Sequence, residues 1–220
     1  MSAPPRIALI HALRHSVAPV EAAFARLWPG ARLANLLDDS LSADLAAAGA
    51  LTPAMTGRFL TLSAYAKDCG ADGILFTCSA FGPAIAACAE ALAPLPVLRP
   101  NEAMVEEAQA LAGAGGRIGL LATFAPTLAA MPAEFAPGTA VLPCLAEGAL
   151  AALDAGDAES HDALAAAAAR RLGGCDVIAL AQFSLARAAG AVAEATGLPV
   201  LTTPDSAVRK LRLLLEGERP

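Results

Sequence analysis

The sequence predicts an α/β protein of two similar lobes, each built on a four-stranded parallel sheet. The first ground is an internal repeat. Gly70-Ala-Asp-Gly-Ile-Leu-Phe-Thr-Cys78-Ser-Ala-Phe-Gly reads against Gly174-Cys-Asp-Val-Ile-Ala-Leu-Ala-Gln182-Phe-Ser-Leu-Ala without a gap, at an offset of 104 positions. Further matches extend it: Leu95-Pro-Val-Leu with Leu198-Pro-Val-Leu, and Arg6-Ile-Ala-Leu-Ile with Arg117-Ile-Gly-Leu-Leu. The second ground is pattern. Short continuous apolar runs, as expected of strands buried on both faces, alternate with Ala-rich segments of helical period. The third is length, since 220 residues suit two units of about 100 each.

In chain order, the candidate strands of the first half are Ile7 to Ile10, Arg32 to Leu37, Gly73 to Thr77 and Val97 to Leu98. Their counterparts are Ile118 to Leu121, Ala140 to Cys144, Val177 to Ala181 and Val200 to Leu201. Pro19 to Leu27, Pro83 to Ala93, His161 to Leu172 and Leu185 to Ala195 read as helices covering the sheets. Each half is then a flavodoxin-like unit. The glycines at 113, 115 and 116 mark the expected hinge, so that residues 1–112 and 203–220 form the first lobe and 113–202 the second. The last helix, Pro204 to Leu215, returns to the first half. The glycine cluster does not fit G-x-G-x-x-G and precedes a strand, the wrong side for holding a pyrophosphate on a helix N-terminus.

Composition narrows the function. The apolar fraction is 56%, yet every long uncharged stretch is interrupted by Pro or Gly, so no membrane span is expected. Five cysteines without C-x-x-C spacing suggest reduced thiols, and with no signal peptide the expected location is the cytoplasm. The net charge of −6 is spread along the chain, with no basic stripe for nucleic acid. A small molecule is the expected partner, and the Ala-rich helices are compatible with a homodimer.

The duplicated D-x-I-x-x-x-C strand ends resemble those of the aspartate/glutamate racemase superfamily, which includes glutamate, aspartate and hydantoin racemases, maleate isomerase and arylmalonate decarboxylase. The resemblance covers almost the whole chain. It implies two α/β lobes related by a pseudo-twofold axis, an active site between them, and a cysteine from each lobe acting on opposite faces of a carbon next to a carboxylate. It also implies no metal or coenzyme. Asp72 to Cys78 fits the first-lobe motif, whereas Asp176 to Gln182 keeps the strand and lacks the thiol. Arg117-Ile-Gly-Leu-Leu-Ala-Thr123-Phe-Ala-Pro-Thr127 resembles the family's hydroxyl-bearing loop of the second lobe.

Abstraction of a proton next to a carboxylate needs a base with a pKa near working pH, and a thiol lowered below its usual value of about 8.5 can serve. Cys78 ends a strand before a helix, where free backbone N–H groups favour thiolate. Those groups, with Ser79, Thr123, Thr127 and Ser184, are candidate donors to the substrate. Gln182 donates hydrogen bonds but carries no proton at neutral pH, so two-thiol racemisation is excluded and one-base chemistry remains. That chemistry is racemisation or isomerisation at the carbon next to a carboxylate of a small acid, with decarboxylation of malonate-type acids or non-catalytic binding of small carboxylates as alternatives. His11 closes the first strand and is the first candidate for a second acid or a substrate contact. His15 and His161 read as surface residues. Asp38, Asn101 and Asp205 read as helix caps at strand ends.

Overall fold

The computed structural model describes residues 3–217, and the chain divides into two compact units. One unit comprises the chain up to Pro100 and from Ala207 onward; the other is Asn101–Ser206.

The first unit runs β1 (Arg6–His11), α1 (Val17–Leu27), β2 (Arg32–Leu37), α2 (Ser40–Ala48), α3 (Pro53–Asp68), β3 (Gly73–Phe76), α4 (Gly82–Leu92) and β4 (Val97–Leu98). Its sheet is parallel, in the order β2-β1-β3-β4. The apolar runs at β1 and β3 occupy the two central positions, where a strand is covered on both faces, and β3 is buried throughout. Helix α3 begins at a Thr-Pro pair: Thr52 accepts the Met55 N–H and Pro53 sets the first helical φ. Phe59 on α3 packs against Phe76 and Phe81, with ring centroids 5.4 and 4.8 Å apart. Phe81 is fully buried, so the short turn that follows β3 is anchored to the core by its last residue.

The second unit runs α5 (Glu102–Ala112), β5 (Arg117–Ala122), α6 (Ala125–Ala130), β6 (Ala140–Leu145), α7 (Ala149–Asp154), α8 (Ala158–Ala169), β7 (Val177–Leu180), α9 (Ala189–Thr196) and β8 (Val200–Thr202), then enters α10 (Thr203–Glu216). Its strand order, β6-β5-β7-β8, repeats the first with parallel pairing throughout. Pro143 is tolerated in β6 because that strand lies at the sheet edge. Helix α10 ends in the first unit, as expected of the last helix: Trp28 Nε1 donates to Glu216 (2.9 Å) and Arg212 to the Leu27 carbonyl (2.9 Å).

The aspartates of the repeat have a structural job. Asp72 accepts the Arg6 N–H and Asp176 the Arg117 N–H, each at 2.7 Å, while their own N–H groups donate to the carbonyls of the same two arginines at 2.8 Å. Each Asp thus clamps the start of the central strand to that of its neighbour.

The lobe boundary differs from the sequence expectation. Helix α5 belongs to the second unit, because Met104, Val105 and Ala108 share a core with Ile118, Leu120, Val177 and Ala179. The glycines after it form a tight helix-to-strand connection and not a hinge. Gly113 has φ +67 and returns its N–H to Gln109, and a Cβ at Gly116 would lie 2.0 Å from the Ala112 carbonyl oxygen. The division falls instead between Pro100 and Asn101.

Candidate active site

Parallel pairing brings all strand C-termini of a sheet to one edge, and each lobe carries its candidate residues there. In the first lobe Cys78 is extended, two residues beyond β3, and precedes a 3-10 turn over Ser79–Phe81. It is partly buried against the lobe's own core. Burial pushes the thiol pKa up, and the Ala80 N–H and the Ser42 hydroxyl pull it back by less. The lowered thiol expected from the sequence is therefore corrected: desolvation outweighs the two donors, and none of the influences on the sulfur is a cation. Ser42, which sequence reasoning missed, donates to the Ala12 carbonyl at 2.7 Å. The Ser79 hydroxyl is half-exposed and has no protein partner among the described residues.

His11 is fully buried and both ring nitrogens are taken. Nδ1 lies 2.8 Å from Thr77 Oγ1 and Nε2 2.9 Å from Asn35 Oδ1, while Asn35 Nδ2 donates to Glu21 at 2.7 Å. With the Asn35 oxygen facing the ring, Nε2 carries the proton and Nδ1 accepts from Thr77. Burial lowers the His11 pKa, against the smaller opposing effects of Asn35 and Glu21. His11 is thus a neutral link between β2, β1 and the residue before Cys78. It has no ring nitrogen to offer a substrate, and the expectation of a direct contact is corrected on that ground.

In the second lobe Gln182 stands two residues beyond β7, the position of Cys78 after β3. Its Oε1 accepts both the backbone N–H of Thr123 (2.6 Å) and the Thr123 hydroxyl (3.0 Å). This orientation leaves the Nε2 hydrogens of Gln182 without a protein acceptor among the described residues. Thr123 is a holder of Gln182, since both of its donors are used. Phe183 and Ser184 are buried and begin the turn that leads into α9; Thr127 is buried in α6. Ser184 therefore lies within its lobe's fold and not on an open surface.

Asp38 loses to burial less than it gains from hydrogen bonds with Arg58 and Ser40 and from the Arg58 charge, so its pKa is lowered within a structural network. Asn101 precedes α5, but its side chain does not cap it, and both amide atoms are buried without a partner among the described residues. Asp205 lies inside α10, where Thr202 accepts its N–H. His161 is fully buried, with Nδ1 2.8 Å from Asp162, and not solvated. All five cysteines are free. Among the described residues no group of three or more His, Cys, Asp or Glu is placed to hold a metal ion, and no helix is long and apolar enough to cross a membrane.

A family model described as Asp/Glu/Hydantoin racemase matches residues 20–211. The fold is similar to that of glutamate racemase isoform RacE1 from Bacillus anthracis, with a TM-score of 0.74 and 13% identity over 98% of this chain and 83% of that one. It is also similar to Picrophilus torridus aspartate racemase (TM-score 0.71, 10% identity, 98% and 96% covered). Allantoin racemase from Klebsiella pneumoniae gives a TM-score of 0.67 at 20% identity, with 97% and 89% covered. At these identities the likeness is one of fold. No curated protein matches the sequence.

Proposed function

Since this chain belongs to the Asp/Glu/Hydantoin racemase family, we propose that it is a cofactor-independent isomerase of racemase type. It acts at the carbon next to a carboxylate of a small acid, with Cys78 as its one thiol acid–base group. The observation that carries this reading is the pairing of roles at equivalent strand ends: a thiol after β3, and after β7 an amide whose oxygen is tied down and whose N–H groups are left to donate. In this reading the Cys78 thiolate takes the proton on carbon, and the hydroxyl of Ser79 beside it stabilises the negative charge that develops on the substrate oxygens. For inversion the planar carbanion must turn over in the site before the same thiol returns the proton, now to the opposite face; return to the original face exchanges the proton and leaves the handedness unchanged.

A second reading is decarboxylation of a malonate-type acid. It is favoured by the upward shift of Cys78, because a thiol that rests protonated is suited to delivering a proton to the carbanion left when CO2 departs. Incubation in D2O with amino acids, hydantoins and malonates distinguishes the two, through deuterium entry at the α-carbon without CO2 or CO2 release with a single deuterium. In either case Cys78→Ser abolishes turnover with unchanged circular dichroism, because an alcohol is far too weak an acid to replace the thiol. A near-native rate in that variant would remove Cys78 from the mechanism.

A further inference from the structure

Along the edge strand β6 and its C-terminal end, the second lobe has an open cavity of about 360 Å3. That volume lies within the ~300–1,000 Å3 range of small-molecule sites. Leu142, Pro143 and Leu172 supply apolar lining, and Arg171 and Glu147 supply one charge of each sign. The guanidinium is held in place: Arg171 Nη2 donates to the Leu145 carbonyl at 2.6 Å and to Cys144 Sγ at 3.4 Å. Its Nη1 and Nε hydrogens have no acceptor among the described residues, and Glu147 has no partner among them either. Two opposite charges thus line one small cavity without meeting each other.

From this arrangement we infer that the cavity is a binding site for a free aliphatic α-amino acid. Its carboxylate pairs with Arg171, its ammonium with Glu147, and its side chain lies on Leu142, Pro143 and Leu172. The zwitterion follows from the two charges, since Glu147 repels a simple anion and Arg171 a simple cation. The aliphatic tail follows from the apolar lining, which offers a larger side chain burial but no polar partner. The site is separate from the proposed chemistry, because neither Cys78 nor Gln182 lines it.

Saturation-transfer difference NMR on the full chain tests this with L-leucine and D-leucine as probes, read at the leucine methyl groups. Transfer is expected in the wild type, and leucinamide and 4-methylpentanoate, each lacking one charge, should bind about tenfold or more weakly. Arg171→Gln and Glu147→Gln, both at exposed side chains, should each abolish the signal, and Gln182→Ala should retain it. No transfer in the wild type, or a signal surviving both cavity variants, overturns the proposal. A signal lost only in Gln182→Ala would assign leucine to the strand-end residues and likewise overturn it, while leaving the proposed function standing.

Discussion

Thr123 directs both its backbone N–H and its hydroxyl onto Gln182 Oε1, at 2.6 and 3.0 Å, so the amide of Gln182 has a fixed outward face made only of donors. Thr123→Val keeps the N–H contact and deletes the hydroxyl at nearly constant volume. The expected cost is about 1 kcal/mol, the usual net value of one hydrogen bond. Gln182→Leu removes the acceptor from both donors and should cost about 1–3 kcal/mol. Urea unfolding of the two single variants and the double variant should give a coupling of about 0.5 kcal/mol or more. Strict additivity would show that the two residues do not hold each other.

The same logic of neighbouring strand ends shows what the sequence does and does not reveal. Strand positions were legible because a continuous apolar run has few alternatives, and the repeat made each half check the other. The lateral contacts were readable in principle. Leu121 pairs with Leu180, so Thr123 and Gln182, each two residues further on, come side by side; Ile10 pairs with Phe76, which does the same for His11 and Thr77. The lobe of helix α5 is not legible in the sequence, because glycines look alike whether they serve a hinge or a tight connection, and only the burial of Met104 and Val105 distinguishes them. The burial of His161 is not legible either, because Ala-rich α8 has little contrast between its faces and no periodicity marks which one is buried.

The hydrogen-bonded chain Glu21–Asn35–His11–Thr77, buried at His11 and Thr77 and exposed at Asn35 and Glu21, should give the fold a dependence on acid. The folded His11 pKa lies below its ordinary value of 6.5, so between the two values the unfolded chain binds the extra proton and stability rises with pH. The contribution is fully present above pH 6.5 and is lost as pH falls from there through the folded value. His11→Gln should be less stable at pH 7, having lost the ring's packing, and should flatten this part of the profile. Denaturant midpoints of wild type and variant from pH 7.5 to 4.5 measure it; parallel curves would show that His11 is not the titrating group.

The repeated aspartates should prove structural. Asp72→Ala and Asp176→Ala each release one backbone N–H and are expected to cost about 1–2 kcal/mol, within the range for a charge-assisted hydrogen bond at a partly solvated site. Because the clamps lie at the strand starts, opposite the edge that carries Cys78 and Gln182, α-proton exchange in D2O should keep its native rate in folded protein. Loss of exchange without loss of stability would contradict this separation.

Cys78 should react as a thiol whose anion is disfavoured. Its burial raises the pKa, so the rate of alkylation by iodoacetamide should climb through pH 7 to 9 and reach half its maximum above the ordinary thiol value. This reverses what the lowered thiol expected from the strand-end position would give. Ser42 makes the reversal testable, because its hydroxyl neighbours the sulfur but donates its one proton to the Ala12 carbonyl. To stabilise a thiolate the hydroxyl must turn from the carbonyl to the sulfur, and Ser42→Ala removes that option. The variant should shift the profile further up and slow alkylation at pH 8 by roughly two- to tenfold, the equivalent of one hydrogen bond. Mass spectrometry of the Cys78 peptide gives the rate directly. A faster reaction in Ser42→Ala would mean that the hydroxyl shields the sulfur and does not help to ionise it.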